Sequence, residues 1–331
     1  MLGAAALADL AAKLQSSRGL AAKRAIAAVA GRLGLSAAGA VPVGDDCAAI
    51  PDGDGFLLLA IEGFMNEFVA GDPWFAGWCG IMVNVSDVAA MGGRPIAVVD
   101  AVWAAGEADA APVLAGLRAA AETFGVPVVG GHTNASTDRG QLAVAILGRA
   151  KRLLTSFDAR PGDRLVAAVD LRGRYREPFS NWEAATTAPA ARLRADLDVL
   201  PLIAEAGLAA AAKDISQGGI VGTAMMLAEC SGVGVTLDVA RVPKPAGVPL
   251  ERWLLTFPSY GYLLAVAPAN LPAVLARFDE RSIAAADIGI ITADHRVSIR
   301  DGALTAETIW DLAREPLIGC TQAQMRAEAF A

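Results

Sequence analysis

The residues best suited to chemistry are carboxylates set beside glycines and small polar groups, at four points far apart in the chain. The first point is GDDCAAI, with Asp45 and Asp46 after Gly44, and the second is NVSDVAAMGG, with Asn84, Ser86 and Asp87. The third is GGHTN, opening on Gly130, Gly131 and His132, and the fourth is KDISQGG, where Asp214 precedes Ser216, Gln217, Gly218 and Gly219. Glu62 closes a further apolar run, FLLLAIEG. Carboxylates are hard oxygen ligands of the kind Mg²⁺ takes, and Mg²⁺ keeps waters and leaves room for phosphates. A glycine pair ahead of a helix lets backbone N–H groups approach an oxyanion with no side chain between. Phosphoryl transfer asks of a protein mainly positioning and charge neutralisation, which dispersed acids can supply. Taken alone, Asp87 reads as an N-cap at the mouth of a helix of small residues. Its company elsewhere in the chain favours a cation instead.

Other chemistries lack their residues. There is no GxxxxGK[ST] and no convincing GxGxxG, so neither a P-loop nor a dinucleotide fingerprint is present. A Ser-His-Asp hydrolase has no GxSxG to stand on, and His132 and His295 are the only imidazoles. The four cysteines, Cys47, Cys79, Cys230 and Cys320, form no CxxC pair and read as reduced, structural thiols. Zinc would lack ligands.

The elements that must position these groups alternate between helix and strand, with antiparallel hairpins rather than a clean βαβ repeat. PDGDG at 51–55 turns a hairpin that frames the first acidic group. Residues 74–91 predict a long helix interrupted near Asn84 to Asp87, 96–103 a strand, 110–124 a helix, 126–129 a strand ending at Gly130, and 142–147 another strand. A second half holds strands at 165–169, 233–237, 262–267 and 297–300, with helices at 197–212, 220–230 and 271–278. The polar, aromatic stretch 171–189, carrying Arg172, Arg174, Arg176, Asn181 and Trp182, is expected to be a mobile lid or a solvated loop.

At 331 residues, 54% of them hydrophobic, the chain is long enough for two cores, and a boundary near 152 divides it into 1–152 and 153–331. Its formal charge of −7 offers no footprint for nucleic acid. No stretch reads as a membrane span. The Ala-rich start carries Asp9 and no basic leader, which fits an amphipathic helix and a cytoplasmic protein rather than a secretory signal.

In this order and at these intervals, GDDCAAI, NVSDVAAMGG, VVGGHTN and DISQGG resemble the PurM-like superfamily over nearly the whole chain. That superfamily holds aminoimidazole ribonucleotide synthetase, selenophosphate synthetase, the hydrogenase-maturation protein HypE and thiamine-monophosphate kinase. The chain is most similar to the AIR synthase-related group near the kinase branch. The resemblance implies an α+β fold whose N-terminal sheet pairs across a homodimer into a barrel, beside a C-terminal α/β domain. It implies ATP and Mg²⁺, with Asp45, Asp46, Glu62 and Asp87 as metal groups and Asp46 and Asp214 as catalytic ones. Asn84, Ser86, Gly130, Gly131, His132, Ser216, Gln217, Gly218 and Gly219 would line the nucleotide, and the partner would be a small-molecule phosphate acceptor. The acceptor would contact the Arg172 to Trp182 loop. Three departures stand out. Relatives often carry Asp where this chain has His132, the kinases read DISDGL where it has DISQGG, and FPSYGYLL at 257–264 occupies the place of their acidic GGEDYEL. Because Mg²⁺ favours oxygen, His132 reads as a loop histidine near the site rather than a direct ligand. The alternatives are thiamine-monophosphate kinase itself and a nucleotide-binding or scaffold module without catalysis.

Overall fold

A computed structural model describes residues 2–33 and 42–320. In chain order the elements are α1 (Ala4–Gln15), α2 (Arg18–Lys23), α3 (Ala25–Leu33), β1 (Ala48–Asp52), β2 (Gly55–Gly63), α4 (Asn66–Gly71), α5 (Pro73–Ala90), β3 (Gly93–Trp103), α6 (Glu107–Phe124), β4 (Val128–Asn134) and β5 (Gln141–Ala150). There follow β6 (Arg164–Val169), β7 (Arg174–Tyr175), β8 (Asn181–Glu183), α7 (Ala190–Leu197), α8 (Val199–Glu205), β9 (Ala211–Asp214), α9 (Gly219–Ser231), β10 (Gly234–Asp238), α10 (Leu250–Leu254), β11 (Phe257–Pro258), β12 (Gly261–Val266), α11 (Leu271–Asp279), β13 (Ala284–Thr292), β14 (Arg296–Arg300) and β15 (Glu307–Asp311).

These elements form two compact units, and the division is not a single cut near 152. One unit comprises 46–153 with 187–202, and the other 1–45, 154–186 and 203–331. The physical reason lies in two amphipathic attachments. Leu7, Leu10, Ala11 and Leu14 form one face of α1 and are buried in the same core as Val297, Ile299, Ile309 and Trp310 of β14 and β15, so the first helix belongs with the last strands. Arg194 of α7 donates to the carbonyls of Glu122 and Thr123 at 2.7 and 2.8 Å, capping the C-terminal end of α6.

The 46–153 unit is a five-stranded sheet in the order β1-β2-β5-β3-β4, antiparallel except for the β3–β4 pair. Gly53, at φ +58°, makes the tight turn of the β1–β2 hairpin. Helices α5 and α6 cross in close contact because Gly77 and Gly116 present no side chain; a Cβ on either would run into a carbonyl of the facing helix. Strand β5 alternates buried Leu142, Val144 and Ile146 with half-buried neighbours, so its sheet has one covered face. The other face leaves Leu59, Ile61, Ile96 and Val99 exposed.

The second unit is built on a seven-stranded sheet, β15-β14-β10-β13-β6-β12-β9, mostly antiparallel with a parallel β10–β14 pair. Helix α9 is buried from Gly219 to Cys230. The expected lid is instead ordered: β7, β8 and β11 form a small three-stranded sheet. Trp182 is a core residue there, edge-on to Tyr175 and Trp253, and its indole N–H donates to the carbonyl of Asp170. Arg172 is held by both carboxylate oxygens of Asp170. Among the described residues no helix is long and apolar enough to cross a membrane.

Candidate functional site

In the 46–153 unit, α5 carries Asn84, Ser86 and Asp87, all buried. The sequence reading placed Asp87 at a helix start. In the structure α5 runs unbroken through it, and Asp87 lies in the last turn, its carbonyl accepting from the N–H of Met91. The small residues after it continue that helix for less than a turn, so a cap was never needed there.

Both N–H groups of the Asn84 amide are committed, one to the carbonyl of Gly80 at 2.8 Å and one to that of Val144 at 3.1 Å. That fixes the amide's orientation and leaves its oxygen, fully buried, as an acceptor with no hydrogen-bond partner. A buried unsatisfied oxygen is costly and calls for a ligand. A carboxylate oxygen of Asp46, just before β1, lies within 4.8 Å of one of Asp87. Glu62, at the end of β2, pairs directly with Val144, the residue whose carbonyl Asn84 grips. Asp46 and Asp87 thus meet from a turn and a helix, while Glu62 shares a cross-strand row with the carbonyl that holds Asn84 and is not among the carboxylates brought together.

The same cross-strand row holds an acid that sequence reasoning missed. Asp100 on β3 faces Val144 on one side and Gly131 on the other, and its carboxylate occupies the room a side chain at Gly131 would take. Burial raises its pKa above the usual carboxylate value. In the sequence it interrupts the apolar run IAVVDAVW, and that interruption was its only signal.

Gly130, Gly131 and His132 lie in strand β4, not in a loop, along the exposed edge of the sheet. The His132 ring stands 6.3 Å from that of Trp103.

In the second unit, Asp214 ends β9, which pairs with β12 through Tyr262, and is buried. Gly218 is the N-cap of α9 and Gly219 its first residue, at φ +63° and packed against the backbone of Leu254 and Leu255 where no side chain fits. Ser216 and Gln217 form the turn between, the Ser216 carbonyl accepting from Gly219 N–H. The Gln217 carbonyl faces Gly19 of α2.

Asp45, expected among the metal groups, is committed differently. One carboxylate oxygen accepts from the Ser156 hydroxyl at 2.6 Å and the other from the Ser156 N–H at 2.8 Å. All four cysteines are free and buried, as expected of structural thiols. Burial pushes the Cys230 thiol well up.

Residues 44–150 match the family described as AIR synthase related protein, N-terminal domain, and residues 175–302 match AIR synthase related protein, C-terminal domain. With the two α/β units and their acidic motifs, this defines a protein of the PurM-like superfamily. More narrowly, the chain belongs to the AIR synthase-related proteins. It is 47% identical to an uncharacterised protein of Synechocystis sp., over 95% of this chain and 99% of that one. It is 28% identical to a thiamine-monophosphate kinase of Halobacterium salinarum, over 70% of this chain and 83% of the kinase. Among solved structures, T. maritima PurL complexed with ADP shares the fold with a TM-score of 0.74 at 18% identity, over 94% of this chain. The chain spans about half of that PurL, 54% of its length.

Proposed function

We propose that this protein binds ATP with Mg²⁺ and transfers a phosphoryl group to a small-molecule acceptor, as a kinase or to activate an oxygen for later attack. The observation that carries this reading is the meeting of Asp46 and Asp87 beside the buried, unsatisfied oxygen of Asn84. The donor set is all oxygen and dianionic, which suits Mg²⁺ and leaves coordination positions for phosphate. Asp46, Glu62 and Asp87 would hold the metal, which when bound supplies neutralisation of phosphate charge. Asp214, with the Gly218 and Gly219 amides at the start of α9, would act on the transferred group. Ser86, Ser216, Gln217 and the Gly130 to His132 strand would line the nucleotide. The named relatives support an ATP-using kinase or synthetase: one is a thiamine-monophosphate kinase, and one structural neighbour holds ADP.

The test is calorimetry with a non-hydrolysable ATP analogue, with and without Mg²⁺. Binding should require the metal, and Asp46→Asn or Asp87→Asn should weaken it by at least about 10-fold, the loss of one charged ligand contact being worth roughly 1.5–3 kcal/mol. Equal binding by Asp87→Asn and the parent protein would sink the scheme. A nucleotide that binds without metal, or not at all, would favour a non-catalytic module. The thiamine-monophosphate kinase reading has the Halobacterium relative in its favour and Gln217 and His132 against it. Direct assay on thiamine monophosphate decides it. We also propose that the protein is a homodimer, paired through the exposed apolar face of its five-stranded sheet.

A further inference from the structure

The acidic turn is pinned from one side by a buried charge, the lysine that opens KDISQGG. Lys213, on β9 immediately before Asp214, is 4% exposed. Its ammonium lies 3.4 Å from the Ser156 hydroxyl oxygen. That hydroxyl gives its proton to Asp45, so a lone pair is left to face the ammonium. The order is cation, hydroxyl, carboxylate. Every polar group of Ser156 is engaged, since its N–H also donates to Asp45 and its carbonyl accepts from Ser231 at 2.7 Å.

The neighbouring backbone is fixed as well. Gly44 sits at φ +123°, a conformation that excludes other residues, and the Cys230 thiol lies 3.6 Å from its carbonyl. A Cβ at Gly44 would fall 3.2 Å from the Cys320 sulfur. The positive charge of Lys213 also acts on both thiols, opposing the effect of their burial.

We infer that Lys213 is a positioning residue: acting through Ser156, it holds Asp45 as a latch rather than a cation ligand, and so fixes the backbone from which Asp46 projects. A carboxylate with both oxygens taken by strong donors and a cation beside it has little left to offer a metal. The role in nucleotide binding rests on the function proposed above; the latch itself does not.

Two measurements separate these layers. In a thermal-melting cycle, Lys213→Met and Asp45→Asn should each lower the melting temperature by about 5–10 °C, because each breaks the same chain from the buried ammonium through Ser156 to the carboxylate. The double variant should lose no more than the worse single one, and Ser156→Ala should abolish that coupling. Losses that simply add would overturn the latch. In calorimetry with Mg²⁺ and the ATP analogue, Lys213→Met should weaken binding about 10-fold while Lys213→Arg stays within about 3-fold of the parent. Asp45→Asn should keep Mn²⁺ binding by electron paramagnetic resonance, whereas Asp46→Asn loses it. If Asp45→Asn loses Mn²⁺ as Asp46→Asn does, or if Lys213→Met binds nucleotide like the parent, the positioning role is wrong. If the parent protein binds no Mg²⁺-nucleotide, the proposed function fails while the melting cycle still decides the latch.

Discussion

Asp100 shows how one residue can be invisible in a pattern and informative in place. In IAVVDAVW it interrupts an otherwise apolar strand, and its meaning depends on which face of the sheet it takes. Pairing with Val144 puts it on the face covered by helices, where water is partly excluded. Burial raises its pKa, so the folded protein holds this proton more tightly than the unfolded chain does. The favourable contribution is complete below the ordinary Asp value and is lost as pH rises through the raised one, above which the ionised carboxylate destabilises the fold. Asp100→Asn should therefore melt higher than the parent at pH 7, with the difference vanishing as pH approaches 4, in a series of melts across pH. Lys213 was obscured differently: the sequence reading ended a helix at this residue. Gly207, at φ +65°, follows the end of α8, and the chain then enters strand β9, where the lysine is buried.

Two contacts between elements carry more of the fold than the hydrophobic pattern suggests. The α5–α6 crossing depends on Gly77 and Gly116. Gly116→Ala should push the helices apart and cost roughly 1–3 kcal/mol or more in denaturant unfolding. The second is Glu229 on α9, a fully buried carboxylate that accepts from the N–H groups of Leu317, Ile318 and Gly319 at 3.0, 2.8 and 2.8 Å. Glu229→Ala would strand three amides and should lower stability by upward of about 3 kcal/mol, with faster hydrogen exchange at 317–319. The strands and helices around the motifs were legible from apolar runs and glycine boundaries. Strand β13 was not, because AAADIGIIT lacks alternation and carries a bulge at Asp287 to Gly289. Strand β15 was missed because its five residues mix polar and apolar without a run. Asp87 was put at the wrong end of a helix because Asn-Val-Ser-Asp has the composition of a cap, although here all three polar side chains are buried within the helix.

For the molecule as a whole, the four motifs and their order were enough to place the chain in its family, while the path it takes between units was not, since discontinuity leaves no mark in local sequence. The exposed apolar face of the five-stranded sheet, with Ile61 at 69% exposure and Leu59 at 48%, is the surface proposed for pairing with a second copy. Ile61→Lys should convert a dimer to a monomer in light scattering and leave the melting of the monomeric fold nearly unchanged, because that side chain is already in water.

The packing of α1 against β15 has a consequence for how the protein is made. Translation at about 5–20 residues per second separates the emergence of these two elements by roughly 15 to 60 s. During that interval Leu7, Leu10 and Leu14 have no native partner in β14 and β15, so the apolar face of α1 stays uncovered while the section between can already collapse. A ribosome-bound chain stalled near residue 300 should therefore hold a protease-resistant sheet and a cleavable α1, which becomes protected only once β15 has emerged.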